Sequence, residues 1–202
     1  MSNIIIAIGD IHGYKTVLTN LIAKVKGKYD LNVVSLVFVG DYVDRGDDEF
    51  GTLDFLIELE EEYPHFIFLL GNHEQDWIDH GHPKEKFVEQ KYWDFFDRCK
   101  TYHTADKLAF THGGIPGKYK NIADVPKEKL IRARDTWNGY HEYKLVVGHT
   151  PQLEVLDVSN CVFIDTGIYI EGFAQLSAVV FDQTTGKILE IIQEHNPNPE
   201  ED

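Results

Sequence analysis

Short apolar runs recur along the chain, and each of them stops at a polar cluster that contains glycine. The runs are rich in β-branched and aromatic residues, a composition typical of buried β-strands. Since functional residues concentrate in loops that a rigid scaffold positions, the polar clusters behind these strands are candidate functional loops. The runs that show the pattern most clearly cover residues 4–8, 33–39, 66–70, 108–110 and 145–147.

Other segments show the periodicity of a helix. In residues 16–25 the apolar positions recur every three or four residues, so they fall on one face of a helix. Residues 50–62 show the same spacing, and residues 87–99 form a further, aromatic-rich segment of this type. The pattern predicts a helix over each of these three segments.

The C-terminal part of the chain is richer in strands. Apolar runs cover residues 161–164, 176–181 and 188–192, and the turn sequence Gln183-Thr184-Thr185-Gly186 joins the last two as a hairpin. Alternating strands and helices followed by a strand-rich half predict an α/β (α+β) fold, built as a mixed-sheet sandwich with helices outside. We find no internal repeat and no linker that would divide the chain.

The folded domain is predicted to end soon after the hairpin. We expect one domain over residues 1–195, since 202 residues are enough for one sizeable core and short for two. Residues 196–202 carry two prolines and a final acidic run, and we expect them to form a disordered acidic tail.

Charge and composition narrow the functional classes. The chain carries 34 acidic against 19 basic residues, and the resulting net charge of −15 disfavours binding to duplex nucleic acid. An anionic substrate would be repelled unless bound divalent cations cancel this charge locally. No apolar run approaches the roughly 20 residues of a membrane helix, and Cys99 and Cys161 lie far apart, as in a reduced compartment. We expect a cytoplasmic monomer that binds neither membranes nor nucleic acid duplexes.

Residue types that bind metals occupy the ends of the predicted strands. Asp10 and His12 are two residues apart, so in an extended segment their side chains point to the same side and can bind one ion. Asp41 can offer oxygen to two ions at once, which makes it the candidate bridge of a cation pair. Strand ends in open α/β sheets meet at one crevice, so these loops should converge. The predicted ligand set is Asp10, His12, Asp41, Asn72, His112 and His149.

The glycine-flanked clusters form recognisable sequence blocks. They are Gly9-Asp10-Ile11-His12-Gly13, Gly40-Asp41-Tyr42-Val43-Asp44-Arg45-Gly46, Gly71-Asn72-His73-Glu74, His112, Gly148-His149-Thr150 and Asp165-Thr166-Gly167. In content and order these blocks resemble the signatures of the phosphoprotein phosphatase family, a branch of the calcineurin-like metallophosphoesterases. The likeness is greatest to compact bacterial and phage serine/threonine protein phosphatases, with symmetrical dinucleoside tetraphosphate hydrolases as relatives.

This resemblance implies a fold and a cofactor. The fold is the metallophosphoesterase β-sandwich of two mixed sheets flanked by helices. The cofactor is a pair of divalent metal ions, with Mn²⁺ expected and Fe, Zn or Mg as alternatives, because a mixed nitrogen and oxygen ligand set suits all of them. A water or hydroxide that bridges the two ions would attack phosphorus directly, without a phosphoenzyme.

The resemblance also implies catalytic roles for residues beside the metal ligands. His73 would protonate the leaving alkoxide, and Asp44 would orient its imidazole and favour the charged form. Arg45 would hold the phosphoryl oxygens as a forked donor. A second phosphate-binding arginine is expected near residue 134; Arg134 is the predicted residue, with Arg132 as the competing one.

Three functions compete at this stage. The short chain and close motif spacing favour a serine/threonine protein phosphatase acting on a phosphoprotein or a small phosphoester. Hydrolysis of dinucleoside polyphosphates such as diadenosine tetraphosphate is the alternative, although those relatives are generally longer. A non-catalytic metal-binding interaction module is disfavoured because all the ligand and acid residues are present. Signature motifs determine the type of reaction, phosphoester hydrolysis, but they do not identify the leaving group.

His80 and His82 are not assigned to a second metal site. They follow an acidic helical stretch and have no third partner at a suitable spacing, so we expect them in a solvated loop.

Overall fold

Two five-stranded sheets form the centre of the computed structural model, which describes residues 3–135 and 142–199. The first sheet has the order β10-β9-β1-β2-β3, in which β1 runs parallel to β2 and β2 to β3, while β9 and β10 are antiparallel. Its strands are β1 Ile4–Ile8, β2 Ser35–Phe38, β3 Ile67–Phe68, β9 Gln175–Asp182 and β10 Lys187–His195.

The second sheet has the order β4-β5-β6-β8-β7 and is also mixed. Strands β5, β6 and β8 are parallel, and β4 and β7 are antiparallel to their neighbours. Its strands are β4 Tyr102–Ala105, β5 Leu108–Thr111, β6 Lys144–Val147, β7 Leu156–Val158 and β8 Cys161–Phe163.

The two sheets pack through a buried apolar layer. Ile5 and Ala7 on β1 contribute to this layer, as do Phe110 on β5 and Val146 on β6. Successive side chains of a strand point to opposite faces, so Ile6 on β1 faces the other way and packs in the cluster that holds the helices. The predicted sandwich of two mixed sheets is therefore confirmed.

Five α-helices flank the sheets in the described part of the chain. The predicted helices are confirmed as α1, α2 and α4, with boundaries within about three residues of those expected. Helix α2 begins after Asp48, whose side chain accepts a hydrogen bond from the Gly51 backbone N–H at 2.9 Å. The helices are α1 Lys15–Lys26, α2 Glu49–Glu62, α3 Asn72–His80, α4 Gln90–Arg98 and α5 Lys127–Arg132, and a short 3-10 helix covers Ile122–Asp124.

The structure differs from the sequence pattern mainly at short elements. Helix α3 starts inside the third sequence block, so Asn72 and His73 lie in its first turn. The apolar run 66–70 forms only the two-residue strand β3, which lies at the edge of its sheet. Among the described residues this strand pairs with β2, and Leu69 adds one bridge to Lys100. None of the described helices is long and apolar enough to cross a membrane.

Two expectations about exposed segments need correction. The tail predicted to begin at residue 196 starts with a packed residue: the Asn196 side chain is buried and donates to the carbonyl oxygen of Ile168 at 2.8 Å. The ordered fold thus continues past residue 195, while residues 200–202 lie outside the described part. His82 is not solvated either, since its side chain is only 2% exposed. Its ring is packed against aromatic neighbours, which the sequence spacing does not reveal.

Candidate active site

The loops that follow β1, β2, β3, β5 and β6 meet at one end of the sandwich. They bring all six predicted ligands together around a cavity of about 120 Å³, the central cavity. His112 lies fully buried at its base, beside Asn72 and Asp41. The residues that line the central cavity are Asp10, His12, Asp41, Arg45, Asn72, His73, Arg134, His149, Asp165 and Tyr169.

Asp41 occupies the middle of the ligand set. Its Oδ2 lies 3.2 Å from Nε2 of His112, 3.8 Å from Nε2 of His12 and 3.9 Å from Nε2 of His73. Two groups of potential ligand atoms share this carboxylate, one with His12 and His73 and the other with His112 and His149. Oδ1 instead accepts the backbone N–H of His73 at 3.1 Å. Asp41 is therefore the carboxylate that the two groups of potential ligand atoms have in common.

Three histidines of the ligand set are oriented in the same way. Each uses one ring nitrogen to hydrogen-bond a backbone carbonyl, which leaves the other nitrogen to bind a metal, as is usual for metal-binding histidines. The carbonyl partners are Val43 for Nδ1 of His12 (3.0 Å), Val39 for Nδ1 of His112 (3.0 Å) and Arg132 for Nε2 of His149 (3.1 Å).

The protonation states also fit a cation site. Burial lowers the pKa of both His12 and His149 to about 4, which favours the neutral imidazole that binds a metal. The pKa of His112 is instead raised, because the negative charge of Asp41 and the hydrogen bond to it outweigh the effect of burial. Among the described residues, Oδ1 of Asp10 is buried without a hydrogen-bond partner, while Oδ2 accepts the His149 backbone N–H at 2.9 Å. A buried carboxylate oxygen without a partner is costly unless a cation binds it.

Backbone geometry brings these loops unusually close together. A Cβ atom on Gly148 would lie 2.0 Å from Oδ1 of Asp10, so only glycine allows the two loops to approach. Non-glycine residues with positive φ also concentrate in the site. They are His12 (50°), Asp41 (54°), Asp44 (65°), Arg45 (79°) and His149 (63°). The sequence gives no sign of this strain, because none of these residue types requires it.

His73 and Asp44 form the predicted acid pair. Nδ1 of His73 lies 2.5 Å from Oδ2 of Asp44, and Oδ1 of Asp44 accepts a hydrogen bond from Trp77 Nε1 at 3.0 Å. Burial alone would lower the pKa of His73. The hydrogen bond to Asp44 and the negative charges of Asp41 and Asp44 outweigh that effect and raise the pKa to about 9. His73 is therefore protonated at neutral pH, with Nε2 facing the central cavity.

The two candidate arginines point in different directions. Arg134 lines the central cavity, where its guanidinium donates to the carbonyl oxygen of His149 at 2.8 Å. Arg132 instead pairs with Asp76 at 2.5 Å and with Glu128 at 2.7 Å, outside the cavity lining. The structure thus places Arg134, rather than Arg132, beside the predicted ligands, together with Arg45.

Sequence reasoning missed two residues in the cavity wall. The ring of Tyr169 contacts His12 edge to face at 4.9 Å and lies 4.9 Å below the guanidinium of Arg45, in a cation–π arrangement. Asp165 is buried and accepts the Gly167 backbone N–H at 2.9 Å. The Asp165-Thr166-Gly167 block signals the loop, but no spacing identifies Tyr169, which follows it by two residues.

Glu74 is the third residue that sequence reasoning missed, although it ends a signature block. Its side chain is fully buried and joins the second and third loops. Oε2 accepts the backbone N–H groups of Gly71 and Asp41, both at 2.9 Å. Oε1 accepts those of Tyr42 at 2.7 Å and Val43 at 3.3 Å. The carboxylate therefore fixes the backbone of Asp41 and of the two residues that follow it, and it ties this loop to Gly71.

We expect Glu74→Gln to destabilise the fold by about 2–4 kcal/mol, because its amide NH₂ would face buried N–H groups that lose their acceptor. Urea unfolding monitored by tryptophan fluorescence measures the change. Glu61→Gln is the matched control, since Glu61 is exposed on helix α2 and should leave stability unchanged. Equal stability of Glu74→Gln and the original chain would show that the four hydrogen bonds do not hold the loops.

Comparisons with known proteins agree with this geometry. The model of the calcineurin-like phosphoesterase family matches residues 4–175. The chain is 34% identical over 139 residues to the serine/threonine-protein phosphatase SIT4 of Candida albicans, an alignment that covers 63% of this chain and 44% of that phosphatase. It is 25% identical over 211 residues to the asymmetrical bis(5'-nucleosyl)-tetraphosphatase PrpE of Bacillus cereus, covering 82% of this chain and 86% of PrpE.

Solved structures share the fold at lower identity. The crystal structure of a candidate diadenosine tetraphosphatase superposes with a TM-score of 0.74 at 20% identity, over 96% of this chain and 94% of that one. A Saccharomyces cerevisiae serine/threonine phosphatase superposes with a TM-score of 0.69 at 18% identity, over 95% and 78% of the two chains. With a family match over residues 4–175 and the strand-end cluster of histidines and carboxylates, the chain belongs to the calcineurin-like phosphoesterase family and is a metal-dependent phosphoesterase.

Proposed function

We propose that the chain hydrolyses phosphate monoesters of serine and threonine in proteins. The observation that carries the proposal is the acid pair: His73 is held by Asp44 at 2.5 Å, and its pKa is raised to about 9. A serine or threonine alkoxide is a poor leaving group, so its departure depends on a positioned proton donor. A protonated imidazole whose Nε2 faces the central cavity meets that requirement.

In the proposed mechanism each group has one task. Asp10, His12, Asp41, Asn72, His112 and His149 would hold the two ions, and Asp41 would serve both of them. When bound, the ions neutralise the phosphoryl oxygens and supply an activated water as nucleophile. Arg45 and Arg134 orient the phosphoryl group and stabilise its charge in the transition state. Asp44 keeps the His73 imidazole charged and directed at the leaving oxygen. We infer manganese as the metal from the resemblance to the phosphoprotein phosphatase family, with iron, zinc or magnesium as alternatives, because the mixed ligand set alone does not select one metal.

Hydrolysis of dinucleoside polyphosphates is the second candidate, and the extent of the PrpE alignment favours it. The chain covers 86% of that tetraphosphatase, so its length no longer argues against the reaction. The chemistry argues the other way. A nucleotide leaving group ends in a phosphate that ionises near pH 6 and needs little protonation, so a His73–Asp44 pair would add little to this reaction.

Turnover by chelator-stripped protein tests both candidates. We expect no activity without added metal, and restored release of phosphate from a phosphoserine peptide with Mn²⁺. Diadenosine tetraphosphate is assayed in parallel, with nucleotide products separated by chromatography. Cleavage of the dinucleotide without release of phosphate from the peptide would overturn the proposal in favour of the second candidate. Tight metal binding without turnover of either substrate would point to a non-catalytic module.

A further inference from the structure

A second cavity of about 360 Å³, the side cavity, adjoins the central cavity. Arg45 and His73 line both cavities, so the two spaces are neighbours across these side chains. The volume lies within the range of small-ligand sites. The side cavity is lined by Asp44, Arg45, Glu49, His73, Pro83 and Lys84.

His73 indicates which part of a substrate the side cavity would receive. A general acid must contact the oxygen that leaves. The group attached to that oxygen must therefore lie near His73, and His73 is one of the two residues through which the side cavity adjoins the central cavity. In a phosphoprotein the group is the chain that carries the phosphorylated residue.

The charged groups in the side cavity are not equivalent. Asp44 accepts hydrogen bonds from His73 and Trp77, whereas Oε2 of Glu49 lies 3.4 Å from Nε2 of His82 without a hydrogen bond within the described residues. The Lys84 side chain is exposed and makes no ion pair within residues 3–135 and 142–199, although its positive charge acts on Glu49 at longer range. In a chain of net charge −15, this leaves a cation for an anionic group on the substrate.

The segment that carries Lys84 is held in place by His82. Nδ1 of His82 accepts the backbone N–H groups of Lys84 at 2.9 Å and Glu85 at 2.8 Å. The buried imidazole packs between Trp77, at 4.2 Å between ring centroids, and Phe50, at 5.5 Å. Because Trp77 also binds Asp44, the same packing positions the acid pair and the Lys84 backbone.

We propose that the side cavity is a leaving-group subsite in which Lys84 binds an acidic residue next to the phosphorylated residue, so that the protein prefers acidic phosphopeptides. This inference rests on the proposed function, because it assigns the side cavity to the peptide chain. His82 is a positioning residue, since it acts through the backbone of Lys84 and does not itself line the cavity.

Steady-state kinetics on two phosphoserine peptides test the inference. One peptide has glutamate on both sides of the phosphoserine, and the other has alanine there. Lys84→Ala should raise KM for the acidic peptide about three- to fivefold, the size expected of one exposed ion pair, and Lys84→Glu should raise it about tenfold. KM for the neutral peptide and kcat for both should stay within twofold. Lys86→Ala, two residues away and outside both cavities, is the matched control.

Salt provides a second measurement that a structural defect would not reproduce. Raising the ionic strength from about 0.05 M to 0.5 M should remove most of the preference for the acidic peptide, because exposed charges are screened. The inference is overturned if Lys84→Glu changes KM equally for both peptides, or changes neither. If no phosphopeptide is cleaved while diadenosine tetraphosphate is, the proposed function fails; a KM effect of Lys84→Glu on the dinucleotide would then assign the subsite to phosphates instead.

Discussion

Replacing Asp41 with Asn should abolish phosphatase activity and occupancy of the metal pair together. Oδ2 of Asp41 lies near histidines of both groups of potential ligand atoms, so both ions would share this carboxylate. A neutral amide cannot hold two cations side by side. Since metal ions contribute several kcal/mol to the stabilisation of phosphoryl transition states, turnover should fall about a thousandfold or more.

Metal analysis and kinetics on the same preparation measure this effect. After loading with Mn²⁺ and removal of free metal, we expect two equivalents in the original chain and fewer in Asp41→Asn. Circular dichroism checks that the variant is folded. Asp97→Asn, an exposed position on helix α4, should retain both ions and full activity. Full turnover by Asp41→Asn would contradict the assignment of Asp41 as the bridging ligand.

The strand-end positions of the ligands could be predicted because they depend on a simple pattern. Strand β1 in the first sheet and strand β6 in the second are both apolar runs that end at glycine, and the loops behind them lie at the same end of the sandwich. Packing of the two sheets against each other therefore brings Asp10 and His149 together. The two loops are in direct contact, because the His149 backbone N–H donates a hydrogen bond to Oδ2 of Asp10.

The choice between the two arginines required backbone geometry. Helix α5 ends at Arg132, and Ala133 is already extended, with φ −72° and ψ 141°. Side chains before and after such a change of backbone direction point different ways, so Arg134 lines the central cavity while Arg132 pairs with Asp76 on the helix side. Spacing along the sequence cannot show where a helix of six residues stops.

Residues that act through buried contacts were the hardest to predict. Glu74 binds only backbone N–H groups, which carry no sequence signal. His82 lies in a polar segment with the composition of a solvated loop, yet its ring is buried against Trp77 and Phe50. In both cases the partner is brought close by tertiary packing between distant segments, which local composition does not encode.

His73→Asn should slow the hydrolysis of each substrate in proportion to how much protonation its leaving group needs. On a phosphoserine peptide we expect kcat to fall about 100-fold or more, the usual contribution of a positioned general acid. On para-nitrophenyl phosphate the fall should be much smaller, because an activated aryl oxide leaves without a proton. His80→Asn, at the exposed end of the same helix α3, should leave both rates unchanged.

Metal stoichiometry decides between two roles for His73. Its Nε2 lies 3.9 Å from Oδ2 of Asp41, close enough for His73 to be counted among potential ligand atoms. If it is the acid, His73→Asn keeps both ions, and Asp44→Asn shows a weaker form of the same leaving-group dependence because the imidazole loses its charged partner. Loss of one ion with equal slowing of peptide and aryl substrates would instead make His73 a ligand. The acid would then have to be sought elsewhere in the cavity wall, where burial raises the pKa of Asp165 to about 6.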